Sequence, residues 1–187
     1  MLEFFSHLNR IHPLSAEAQA ALLKTIRAKE LRKGQVWLQE GAECDRICFV
    51  LRGLLKLYFE EGNREVILYF ADVEDWMVSA QSYFGRVPSK FAIRTVEHSV
   101  VVYLMREELD GLTGRFPELR VPFVKIAQTQ TMALETHTGL LLLGARRRFE
   151  VFSRSKLAKR LSDKMIAGYL GVTQNSVCNW RKTMDLP

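Results

Sequence analysis

The sequence predicts an α+β fold: a body of short antiparallel strands in a sandwich or barrel, one long helix, and a small helical C-terminal module. Three observations carry this. Six short β-branched and aromatic runs lie between residues 35 and 104, separated by Gly-containing turns. A 3–4 alternation of apolar residues then runs from Leu119 to Leu142. Finally, Ser162 to Lys182 reads as two short capped helices joined by a glycine. The bulk composition agrees with a globular chain. Of 187 residues 48% are hydrophobic and 26% charged, with 11 Gly and 5 Pro, which excludes disorder, collagen-like repeats and low complexity as descriptions of the whole.

The first element is a short amphipathic helix over residues 14–26, with Ser15 as N-cap, Glu17 in the first turn and Ala18, Ala21, Leu22 and Ile26 at helical spacing. Strands follow at 35–39, 46–51, 54–59, 65–70, 90–96 and 100–104, with turns at Lys33-Gly34, Glu40-Gly41, Arg52-Gly53 and Glu61-Gly62-Asn63. In the long helix Leu119, Phe123, Ile126, Ala133 and Leu140 form one apolar seam, with Gln130 and His137 filling its gaps. Such a seam packs either on the chain's own body or on a second copy. The helix is long for a domain of this size, which favours a homodimer through this seam.

Charge is unevenly spread. From Ala145 onward ten Lys or Arg stand against three acids, a net of +7, whereas residues 1–144 carry 17 basic and 18 acidic residues, a net of −1. A basic module on a neutral body points to a polyanionic partner, most simply DNA. Within that module Ser162 and Asp163 start a helix whose buried stripe is Ile166, Ala167 and Leu170. Gly171 ends it, Val172 plugs the corner and Thr173 caps a second helix, in which Val177, Trp180 and Met184 fall on one face. Asn175, Cys178, Asn179 and Lys182 point the other way, with Gln174 and Arg181 on the flanks. Amide side chains suit base recognition, and Arg and Lys suit guanine or phosphate. The DNA-binding set expected is therefore Thr173, Gln174, Asn175, Ser176, Cys178, Asn179, Arg181 and Lys182. The alternative is an ordinary helical hairpin whose amides face water.

With these motifs in place the chain resembles the Crp/Fnr-type transcription regulators. The stretch Gly41-Ala-Glu-Cys-Asp-Arg-Ile-Cys-Phe-Val-Leu-Arg-Gly53-Leu-Leu-Lys-Leu-Tyr58 is similar to that family's β-roll signature, and the order of segments agrees over nearly the whole chain. The resemblance implies a jelly-roll, cyclic-nucleotide-binding-like sensor over residues 1–115, a dimerisation helix and hinge over 116–145, and a helix-turn-helix DNA-binding domain over 146–187. It further implies a cytoplasmic, homodimeric, ligand-responsive regulator of transcription. The second class of reading is a β-roll small-molecule-binding or protein-interaction module that no longer binds DNA.

Two departures from the family pattern stand out. Cyclic-AMP-responsive members carry a Gly-Glu-Leu whose Glu holds the ribose, followed by Arg-Ser whose Arg holds the cyclic phosphate. Here Val78-Ser79-Ala80 and Ser89-Lys90 stand in those places. Lys90 is a point charge and no equivalent of a bidentate guanidinium, so the effector expected is a small molecule other than cyclic AMP. The corresponding pocket residues are Val78, Ser79, Ser82, Ser89 and Lys90. Five residues follow Lys182, too few for the family's β-wing, so the resemblance implies a domain lacking a full wing and weaker, less salt-dependent DNA binding.

Other chemistries find no ligand set. Cys44 and Cys48, read as sharing a strand face, lack the further ligands of a zinc or iron–sulfur site, because Cys178 lies far off in the chain. They read as core thiols, and three Cys argue against a disulfide framework. His7, His12, His98 and His137 show no metal-binding spacing, and His98 reads as structural in preference to a haem ligand. No nucleophile elbow, P-loop or dinucleotide fingerprint occurs, so no enzyme, cofactor or metal is expected. No stretch approaches the ~20 apolar residues of a membrane span, and residues 1–5 lack a signal-peptide pattern. Trp37, Trp76, Tyr83 and Phe84 read as β-roll core or pocket lining.

Overall fold

The structure, a computed structural model, describes residues 2–183. It divides into two compact units: residues up to Leu57 with Phe70–Thr131, and Tyr58–Tyr69 with the residues from Met132 on. The expected position of Met184 on the inner face of the last helix lies outside the described residues.

The first unit opens with two helices, α1 (Leu2–Ile11) and α2 (Ala16–Thr25). Ser15 caps α2 as its position suggests, its Oγ accepting from the Ala18 amide at 3.1 Å. Eight strands follow, of which the Tyr58–Tyr69 part of β4 and β5 belongs to the second unit: β1 (Arg27–Leu31), β2 (Val36–Leu38), β3 (Arg46–Arg52), β4 (Leu55–Glu61), β5 (Arg64–Ala71), β6 (Trp76–Met77), β7 (Ala92–Thr95) and β8 (Ser99–Met105). They form two four-stranded sheets, in the orders β1-β8-β3-β6 and β2-β7-β4-β5. The pairs β1–β8, β3–β8 and β3–β6 are antiparallel, with Cys48 opposite Met77 and Phe49 opposite Trp76. This is the antiparallel β-roll the sequence predicts, with β1, β6 and α1 added to it. The core is filled by Phe49, Leu55, Ile93, Val101 and Leu104. Phe4 of α1 closes one end of it, its ring 5.5 Å from Phe49 and 5.7 Å from Trp76. Gly53 has φ +98° and turns between β3 and β4 against the start of β8; a Cβ there would lie 2.2 Å from Ser99 Oγ. Only glycine fits that turn. Trp37 is half-buried on Tyr103, with the Arg46 guanidinium 5.5 Å above it.

After β6 comes α3 (Ala80–Gly85), and after β8 come α4 (Arg106–Arg115) and a 3-10 turn at Pro117–Leu119. The long helix α5 runs from Arg120 to Leu141, as the alternation predicts. Its seam, however, does not face outward. Leu119 is fully buried and Ile126 nearly so, the Phe123 ring stands 5.7 Å from Trp76, and Gln130 Nε2 donates to the Trp76 carbonyl at 2.9 Å. The face expected to meet a second copy is instead spent on the β-roll. A different row, Val124, Ala127, Thr131, Leu134, Thr138 and Leu141, follows a strict 3–4 repeat and leaves its apolar members Val124 (56% exposed), Leu134 (42%) and Leu141 open to solvent, with Ala127 half-buried.

In the second unit α6 (Ala145–Ser153), a 3-10 turn at Leu157–Arg160, α7 (Asp163–Leu170) and α8 (Gln174–Thr183) form a small helical cluster. Its core is Phe149, Phe152, Ile166, Leu170 and Val177. No helix of the described residues is long and apolar enough to cross a membrane.

Candidate nucleic-acid interface and ligand cassette

The α7–α8 pair is built by local chemistry. Ser162 Oγ accepts from the Met165 amide at 3.3 Å, and Asp163 places a carboxylate at the positive end of α7. Gly171 adopts φ +64° and ends the helix with its N–H on the Ala167 carbonyl. Arg148 satisfies the orphan carbonyl of Leu170 at 2.7 Å. Thr173 Oγ1 accepts from the Ser176 amide at 3.2 Å and shares a 2.8 Å hydrogen bond with the Ser176 hydroxyl, opening α8.

Val177 is completely buried and the Trp180 ring lies 5.6 Å from Phe149, so α8 docks by the face the periodicity assigns to it. Opposite that face Asn175, Asn179 and Lys182 are exposed, and Gln174 is exposed on the flank. Two expected members of this set are placed differently. Cys178 is half-buried and its thiol donates to Asp163 Oδ2 at 3.0 Å, while Arg181 pairs with Asp163 Oδ1 at 3.0 Å. Asp163 therefore ties the first turn of α7 to the middle of α8. Its hydrogen bond is the main cause that raises the Cys178 pKa, keeping a thiol and not a thiolate. The sequence spacing placed Cys178 outward because helical period alone does not show that α7 begins beside it.

The cassette residues come together, but as a closed set. Ser79 and Ser89 are buried and bonded hydroxyl to hydroxyl at 2.8 Å, and Ser89 Oγ also donates to the Phe91 carbonyl at 2.7 Å. Ser82 Oγ donates to the Val87 carbonyl at 2.6 Å and accepts from the Cys44 amide at 2.8 Å. Lys90 is exposed. Cys44 precedes β3, so it and Cys48 do not share a strand face; both are buried, and burial raises both thiol pKa values. Of the five expected cassette residues, Val78 alone borders a cavity of about 380 Å³, whose other walls come from α3, α4 and α5. Tyr83 and Phe84 line it, as their aromatic character suggests. Arg106, Arg120 and Phe123 also line it, and nothing in the local sequence marks them.

The family model for the cyclic nucleotide-binding domain matches residues 28–115, the span of the β-roll and α4. Solved structures extend the likeness beyond it. FixK2 from Bradyrhizobium japonicum is similar with a TM-score of 0.74 and 17% identity, over 86% of this chain and 84% of that one. A protein of Eubacterium rectale described as a transcriptional regulator of the crp/fnr family gives 0.74 at 14% identity, over 92% and 84%. The c-di-GMP-responsive global regulator CLP from Xanthomonas campestris gives 0.74 at 14% identity, over 91% and 92%. The cyclic nucleotide-binding domain with its long helix and helical cluster thus has the fold of Crp/Fnr proteins. No sequence among the curated proteins matches this chain.

Proposed function

We propose that this protein is a ligand-responsive, homodimeric DNA-binding transcription regulator of Crp/Fnr type whose effector is not cyclic AMP. The observation that carries the reading is α8 itself. Its apolar side is consumed by Val177 and Trp180, and its free side presents Gln174, Asn175, Asn179 and Lys182 within a segment of net charge +7. A hairpin made only for stability has no use for two amides and a lysine on one exposed face, with a third amide on its flank, beside that much positive charge. Thr173 and Ser176, whose hydroxyls sit at the positive end of α8, serve backbone phosphates, while Arg181 is held by Asp163.

The roles follow the chain: sensing in residues 1–115, association and hinge in 116–145, DNA binding in 146–187. Two copies meet through the exposed row Val124, Ala127, Thr131, Leu134, Thr138 and Leu141, since the opposite row is already packed. Ligand binding in the β-roll unit shifts the setting of the two recognition helices toward or away from the ~34 Å between successive major grooves. The chemistry of the cassette argues against cyclic AMP. The hydroxyls of Ser79, Ser82 and Ser89 are spent on each other and on backbone, and no guanidinium stands in place of the family's phosphate-binding Arg. Calorimetry with cyclic AMP is expected to give no heat of binding.

Fluorescence anisotropy with a labelled duplex pool tests the DNA reading. Log affinity that falls linearly with log salt, with a residual preference among sequences, supports it. No binding at 50 mM salt refutes it.

A further inference from the structure

The cavity that Val78 borders lies wholly within the first unit, and its chemistry is unlike that of a cyclic-nucleotide cassette. We propose that this cavity is a binding site for an amphipathic monocarboxylate, with an aromatic or medium-chain apolar body held between α3, α4 and α5 and the carboxylate at Arg120. The site supplies the sensing step of the function proposed above, yet it is tested without DNA.

The floor is apolar: Val78, Leu109, Phe123 and Ile126 line it, and Phe84, 68% exposed, stands at its rim. A volume of about 380 Å³ falls in the range of small-molecule sites and accommodates about a dozen heavy atoms at roughly 30 Å³ each. Charge at the cavity selects the ligand's sign. Three arginines line it against one acid, Asp110. Arg86 pairs with Asp110 at 3.4 Å, and Arg106 pairs with Glu43. Arg120 is exposed and makes no ion pair or side-chain hydrogen bond among the described residues. One uncompensated guanidinium at the edge of an apolar cleft matches one negative charge on an apolar ligand.

Tyr83 adds a polar handle. Its side chain lines the cavity, yet its Oη is buried without a hydrogen-bond partner, and so is Arg106 Nε behind its ring. Burial pushes the phenol up to about 12, so at neutral pH it is an O–H donor. Buried donors left unpaired are costly, and they are retained where a ligand or water completes them. Val124 and Ala127 line the same cavity from α5 and belong to the row assigned to dimer contact. An occupant is therefore placed to act on the association helix.

The test uses the full chain, titrated in a calorimeter with 4-phenylbutyrate and with its neutral amide, 4-phenylbutanamide. The expected result is saturable binding of the acid, one per chain, about tenfold tighter than the amide. Arg120→Ala, at an exposed position, brings the acid to the level of the amide and leaves the amide unchanged; Leu109→Trp, which fills the floor, abolishes both. Equal affinity of acid and amide, or no effect of Arg120→Ala, overturns the proposal. So does unaltered binding in a folded Leu109→Trp variant. Absence of saturable binding overturns it as well, including binding lost at concentrations where the chain dimerises, because a second copy then fills the groove. A protein that binds the acid but no duplex retains this site and loses the DNA reading; one that binds duplex but no acid does the reverse.

Discussion

The imidazole of His137, on α5, lies flat on the ring of Tyr169, on α7, with 4.0 Å between centroids and 6° between planes, and its Nε2 meets the Tyr169 carbonyl at 2.8 Å. The pair fixes α7 of the helical cluster to the end of the long helix. Burial lowers the His137 pKa from its ordinary 6.5, more than the two backbone carbonyls of Tyr169 and Leu68 raise it. Tyr169, its own pKa pushed up to about 12 by burial, stays neutral throughout the window concerned.

A histidine whose folded pKa is depressed binds a proton more readily when unfolded. Stability is therefore intact above about pH 6.5 and falls as pH drops below it. His7, also lowered chiefly by burial and then by Arg10, adds to the same slope. Urea melts at pH 7.5 and 5.5 are expected to show lower stability at the acid value, and His137→Gln to flatten part of the difference. A variant with the parent's full pH dependence would show that His137 is not the group responsible.

The exposed row of α5 predicts which substitutions separate two copies. Val124→Glu or Leu134→Glu is expected to yield folded monomers by light scattering. Phe123→Glu and Ile126→Glu instead place a charge against Trp76 and the β-roll, costing about 3–5 kcal/mol of stability. Monomers from the second pair with unchanged stability would return the interface to the inner seam.

Much of this architecture was legible in the sequence, and the parts that were not share a physical reason. Ser15, Ser162, Gly171 and Thr173 mark helix ends because capping is local chemistry, so α2, α7 and α8 are found where their caps stand. Strand β1 was missed because Arg27–Leu31 buries its last residue alone and gains its place only by pairing with β8. Of the two apolar rows of α5, periodicity does not say which meets the β-roll, where Leu119, Phe123 and Ile126 pack. The cassette serines are legible as a cluster, but whether their hydroxyls face a ligand or are spent within the fold depends on contacts between partners 10 and 38 residues apart.

Within the second unit Gly168 of α7 sits against the backbone of Glu65: a Cβ would lie 2.4 Å from the Glu65 carbonyl oxygen. Since backbone on both sides has to give, Gly168→Ala is expected to destabilise by about 1–3 kcal/mol in urea melts despite the better helix propensity of alanine. A stabilised variant would mean that this approach is not kept in solution.

On α8, Asn175 and Asn179 are exposed one turn apart while Lys182 stands near the end of the helix. Asn175→Ala is expected to cost about 1–3 kcal/mol at a preferred site and to relax its sequence preference. Lys182→Ala is expected to weaken all sites alike and reduce the salt slope by about 1. Equal, sequence-independent losses from both would reduce α8 to a charged surface.

Selection of bound sites from a random duplex pool, at moderate salt and with the chain alone, tests the regulator reading most directly. The account predicts enrichment of a two-fold symmetric sequence with half-sites centred about one helical turn apart, because paired copies of α8 enter successive major grooves. Failure to enrich any sequence, with retention set only by total charge, would contradict it.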